Sequence, residues 1–112
     1  MADFYIKQND TLPPLVATFL NYDNSGYIIP DGSTIRFIMR RQNNKAIKVS
    51  STNVIVQDAA NGVVQYQWVS GDTCDEGLFD FEFEVTLSGG TRITFPNNSY
   101  RVCEITPDLL TQ

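Results

Sequence analysis

The sequence contains no histidine. That removes the commonest general base, every Ser-His or Cys-His nucleophile pair, and the usual zinc ligands other than cysteine. Cysteine is scarce too: Cys74 and Cys103 are the only two, too few for a zinc site. Basic residues number 8 against 13 acidic ones, and a formal charge of −5 argues against general affinity for nucleic acid, which needs clustered Lys and Arg. No apolar run approaches the roughly 20 residues that cross a bilayer. The opening "MADFYIKQNDT" also lacks the basic-then-apolar layout of a signal peptide. The expectation is a chain made in a cytoplasm, away from membranes, with both cysteines reduced. No glycine-rich loop leads into a helical run, so the usual nucleotide sites drop out. Helical periodicity itself is missing beyond two turns.

What the sequence does hold is aromatic and β-branched residues in short alternating runs. Its 112 residues, 42% hydrophobic with seven Phe and five Tyr, have the length of one domain and enough apolar surface for a core. Disordered chains have few aromatics and high net charge, which is not this composition. Runs bounded by Gly, Pro, Asn and Asp predict strands near Phe4–Lys7, Leu15–Asn21, Thr34–Arg40, Val54–Gln57, Val63–Val69, Leu78–Leu87, Thr91–Phe95 and Tyr100–Ile105. "NYDNSG" and "PDGS" bracket Tyr27–Pro30, expected as a small edge strand, while "DAANG" and "SGG" read as turns. Turns spaced about 8–12 residues apart, without helical crossovers, lead to an all-β antiparallel sandwich of about seven to eight strands. Residues 1–112 form a single domain in this reading, with no repeat or linker.

The strictest alternation is "GLFDFEFEVTL", Gly77 to Leu87. Phe79, Phe81, Phe83, Val85 and Leu87 share one face, and Asp80, Glu82, Glu84 and Thr86 the other. The same period turns Leu15, Ala17 and Phe19 inward, with Ile35, Phe37, Met39, Val64, Tyr66 and Trp68; Cys103 and Ile105 follow in the last strand. Arg36 and Arg40 then face outward, because burying unpaired charge is costly. Two such sheets stacked about 10 Å apart enclose an aromatic core.

Each candidate for chemistry has a plainer reading beside it. Asp80, Glu82 and Glu84 lie about 6.5–7 Å apart along one face, a spacing open to an acid and a base. Catalytic carboxylates need one partner desolvated, and no apolar sequence surrounds these three, so a solvated face that keeps a Phe-rich strand from aggregating is expected. "GDTCDEG" offers Asp72, Asp75 and Glu76 but lacks the ligand ladder of a calcium loop, and a turn accounts for it. Arg40, Arg41, Lys45 and Lys48 form the nearest basic cluster, read as a solvated loop. Tyr5, Tyr22, Tyr27 and Tyr100 fall at strand ends, where tyrosines are favoured in interfaces. No catalytic, cofactor-binding or metal-binding residue is assigned, and the chain is expected not to be an enzyme.

Longer stretches carry a resemblance. "DFYIKQNDTLPPLVATFLNYDNSGYIIPDGSTIRFIMR", followed by "DAANGVVQYQWVSGDTCDEGLFDFEFEVTLSGGTRITFP", resembles the N-terminal domain of the upper baseplate protein family of tailed bacteriophages. The matching segments are Asn9–Thr11, Pro14–Gly26, Asp31–Met39, Gly62–Trp68, Asp72–Val85 and Thr94–Pro96, in the family's order. The resemblance implies an immunoglobulin-like β-sandwich and a virion structural protein of the tail or baseplate. It implies no cofactor and no enzymatic activity. The partners would be other phage structural proteins in a symmetric, multi-copy assembly. A capsid decoration or connector-associated protein is the alternative placement. A host-surface carbohydrate-binding module, with Tyr22, Tyr27 or Tyr100 as stacking platforms, is the competing function. The antibody pattern of a tryptophan between two cysteines is absent, since Trp68 precedes both Cys74 and Cys103.

Overall fold

The Gly77–Leu87 alternation becomes the central strand of the larger of two sheets. The computed structural model describes residues 2–109. Within them the strands are β1 Phe4–Lys7, β2 Leu15–Thr18, β3 Thr34–Arg41, β4 Ile47–Ser51, β5 Val54–Asp58, β6 Val63–Tyr66, β7 Gly77–Thr86, β8 Arg92–Phe95 and β9 Arg101–Thr106. The larger sheet has the order β1-β9-β7-β3-β4, with β8 also on β7; the smaller is β2-β6-β5. This is the strand layout of an immunoglobulin-type sandwich, with β2-β6-β5 in the places of B-E-D and β9-β7-β3 in those of G-F-C. Every pairing is antiparallel except β1 with β9, which is parallel and departs from the expected arrangement. Its cause is that β1 crosses to β9 instead of lying beside β2, so the smaller sheet ends at β2.

The inward faces are those the alternation predicts. Phe79, Phe81, Phe83, Val85, Ile35, Phe37, Met39, Leu15, Phe19, Val64, Tyr66, Trp68, Cys103 and Ile105 are all buried, and Ala17 and Leu87 pack half-buried against them. Phe37 is the centre. It stacks on Tyr66 of the opposite sheet at 4.3 Å between ring centroids and meets the edge of Trp68 at 5.7 Å. Full burial of one such ring contributes about 1.5–3 kcal/mol, and each well-placed aromatic pair about 0.5–1.5 kcal/mol more.

Several boundaries differ from expectation for local reasons. β2 stops at Thr18 because the Phe19 N–H and C=O are taken by Gly62 and Tyr27, which starts a tight Asn21–Ser25 loop. Tyr27–Pro30 is not a strand: Tyr27 N–H bonds the Phe19 carbonyl and Ile29 N–H the Ala59 carbonyl. β6 ends at Tyr66, and Val69 donates instead to the Asp72 carboxylate. β4 has no counterpart in the expected strands. A register shift between Met39 and Arg40 buries Val49 while leaving Ile47 exposed, so its apolar alternation is broken. Lys48 therefore sits on a strand and not in a solvated loop.

The β5–β6 connection is the short 3-10 turn Ala59–Asn61 closed by Gly62 at φ 73. A Cβ there would lie 2.6 Å from the Tyr27 carbonyl oxygen and 2.7 Å from that of Phe19, so only glycine fits. β8 and β9 lie on the same side of β7 as one interrupted strand. Phe95 pairs with Phe83 and Arg101 with Phe81, so six steps along one chain face two along the other. Residues 96–100 loop out of the sheet at that gap.

Candidate functional site: the open edge of strand β2

The crossing of β1 and the break between β8 and β9 together leave a cleft. It has a volume of about 480 Å³ and runs between β2 and the 95–101 segment. Its floor is core: Phe19, Phe81, Phe83 and Phe95 line it, with Phe19 stacked on Phe95 at 4.5 Å. Val16, Leu20 and Tyr22 stand exposed on its β2 side. Opposite them Asp3 and Arg101 face each other at 3.8 Å, so the lip carries no net charge.

The backbone of β2 adds a second feature. In an antiparallel pair every second residue exchanges its N–H and C=O with the partner, and those between point away. Phe19 N–H donates to the Gly62 carbonyl at 2.7 Å, in line with the pairs Leu15↔Tyr66 and Ala17↔Val64. The polar groups of Val16 and Thr18 therefore point to the open side, where no hydrogen bond is made to them among the described residues.

The carboxylate row resolves differently from expectation. Asp80 is not on a solvated face: it is 3% exposed, with Arg40 Nε at 3.6 Å from Oδ2 and Gln42 Nε2 donating to Oδ1 at 2.9 Å. The reason is its cross-strand neighbour. The β3–β7 register sets Arg40 opposite Asp80 and Arg36 opposite Glu84, and Arg40 also lies over the Tyr100 ring at 5.6 Å, covering the acid. Glu84 is half-buried and reaches Arg92 at 3.8 Å, and Glu82 stands opposite Ile38. Asp80 pairs with Arg40 of β3 and Glu84 with Arg92 of β8, so the acids are held by separate partners and do not converge on one point as an acid and base would.

Asp72 and Asp75 hold the 71–77 loop in place. Asp72 Oδ2 accepts from the Tyr66 hydroxyl at 2.5 Å and from Val69 N–H at 2.9 Å. Burial first, and then Asp72, push the Tyr66 phenol well above its ordinary value. Asp75 accepts from Arg41 at 2.6 Å and Lys48 at 3.0 Å, and Lys48 Nζ also lies 3.1 Å from Cys74 Sγ. The hydrogen bond and charge of Lys48, with Arg41 behind, hold the Asp75 carboxyl below the usual carboxylate range. Thr73 is buried and donates to the Asp10 carbonyl at 2.7 Å, tying this loop to the N-terminal segment. Among the described residues no group of three or more possible metal ligands comes together.

The tyrosines are scattered. Tyr22 is fully in solvent beside the cleft, Tyr27 leans on Phe95 at 4.9 Å, and Tyr100 sits under Arg40 on the far face of the larger sheet. Tyr5 is exposed on β1. Cys74 is exposed and Cys103 buried, and both are free thiols. Comparison of the chain with protein-family models and with curated proteins finds no match. The residues that sequence reasoning missed are Val16 and Thr18. The signal available was the uncharged run "LVATFL", ordinary for a core strand and unusual for an edge.

Proposed function

We propose that the protein is a virion structural subunit of a tailed bacteriophage, a tail or baseplate component that holds neighbouring subunits and performs no chemistry. The observation that carries this reading is the uncharged edge of β2 above an apolar cleft floored by Phe81, Phe83 and Phe95. An edge of this kind attracts other chains, and a soluble domain gains nothing from leaving one uncovered unless a partner fills it. The motif order from Asn9 to Pro96 supports the same assignment to the baseplate module. Copies would be made in the host cytoplasm and incorporated according to the symmetry of the particle, with other phage structural proteins as partners. The test is mass spectrometry of purified intact particles: the chain is expected in stoichiometric amounts, and its confinement to the unassembled lysate would sink the reading. Placement in a particle density map separates tail from head or connector.

One feature favours a second reading, attachment to a host-surface glycan: the free Tyr22 ring at the cleft's lip, of the kind that stacks on sugars. A glycan array probed with the purified chain separates the two. A sugar-dependent signal lost in Tyr22→Ala supports the glycan reading, and no signal removes it.

A further inference from the structure

We propose that β2 accepts an extended strand from a neighbouring protein, completing the smaller sheet as a fourth strand. The inference rests on the reading that a neighbouring subunit docks at this cleft, and it names the chemistry of what enters. Only another backbone supplies donors and acceptors in the line set by Val16 and Thr18, which is the recognition mode of strand addition. Every other sheet edge is guarded. β1 carries Lys7, β4 carries Lys48 and a register shift, β5 carries Asp58 and a register shift, and β8 carries Arg92. β2 has neither charge nor shift; only Pro13 and Pro14, just before it, limit pairing at its start.

The cleft sets the side chains of the occupant. A strand alongside β2 turns every second residue toward Phe81, Phe83 and Phe95, so those positions are apolar. The paired Asp3 and Arg101 at the lip leave no charge to be matched, so the strand is uncharged. The stretch Leu15 to Leu20 has room for about six residues, roughly 20 Å. A second copy of this chain is a poor donor, because the alternating runs of its described residues are already paired within its own sheets. The occupant is a segment of a different protein.

The test uses the full chain carrying a C-terminal tether: about 20 Gly/Ser residues, with a root-mean-square reach of about 25 Å, then Thr-Val-Thr-Val-Thr-Val. The control tether ends in Gly and Ser only. The expected result is that hydrogen exchange at the Val16 and Thr18 amides slows by roughly 10-fold or more relative to the control, with a higher Tm. Thr18→Pro removes an N–H that the chain itself does not use, and should cancel the gain while leaving the untethered chain folded. If that proline disturbs the fold, Val16→Lys, which places a charge on the edge, is expected to cancel the gain instead. Unchanged exchange at both amides overturns the proposal, as does a gain that survives the edge variants. Absence from virions would overturn the docking reading instead, so the two failures are read on different samples.

Discussion

Replacing Tyr66 by Phe isolates one buried hydrogen bond. The ring stays in place against Phe37 and the edge of Trp68, and what is lost is the hydroxyl that donates to Asp72 Oδ2 at 2.5 Å. A hydrogen bond to a charged group contributes about 1.5–3 kcal/mol. Asp72 is half-buried and keeps the Val69 N–H, so the lower end applies, about 1.5 kcal/mol, or a Tm lower by roughly 6 °C in a domain of this size. The pH dependence gives a second, independent readout. The folded pKa of this phenol lies above its unfolded value, because burial and then Asp72 favour the protonated form. Its contribution is therefore complete below about pH 10 and is lost as pH rises beyond it, when the unfolded chain ionises and the folded chain does not. The stability gap between wild type and Tyr66→Phe should close by about 1.4 kcal/mol per pH unit above that point. Urea unfolding followed by Trp68 fluorescence at neutral and alkaline pH measures both quantities. Equal stability at neutral pH, or a gap that stays constant into the alkaline range, would refute this account of the Tyr66 site.

Phe81→Ala empties a buried position of β7 and should cost about 3–5 kcal/mol by chemical denaturation, whereas Glu82→Gln on the outer face of the same strand should cost less than about 0.5 kcal/mol; comparable losses would mean that the faces of β7 are misassigned. Gly62→Ala places a Cβ 2.6 Å from the Tyr27 carbonyl oxygen at a backbone with φ 73, and should lower stability by about 2 kcal/mol or more; a neutral effect in thermal unfolding would remove the requirement for glycine there. Burial, with the Glu104 charge adding to it, pushes the Cys103 thiol up to about 12, while Cys74 is exposed. Iodoacetamide at mildly alkaline pH should therefore modify Cys74 alone in the folded chain and both thiols after denaturation, as read by intact mass; early labelling of Cys103 would contradict its packing.

The acidic row shows where residue pattern stops being informative. Alternation places Asp80, Glu82 and Glu84 on one face correctly, because side-chain direction in a strand follows a local period of two. What lies over that face comes from elsewhere in the chain. Arg40 and Gln42, about 40 positions away, cover Asp80, and local sequence holds no record of that pairing. The same holds for the basic residues read as a loop: Arg41 and Lys48 converge on Asp75 only because β3 and β4 run beside the 71–77 loop.

Composition and periodicity were sufficient for the class of fold, the strand-rich character and nearly every inward-facing residue, since burial of alternate apolar groups is a local pattern enforced along the whole chain. Sheet membership was not written locally. That β1 leaves β2 for β9, and that β8 and β9 break apart at residues 96–100, depends on pairings between distant segments. Those two choices open the edge of β2 and the cleft beside it, and long-range backbone hydrogen bonding, not the residue types of β2, determines which strand of a sandwich is left without a neighbour.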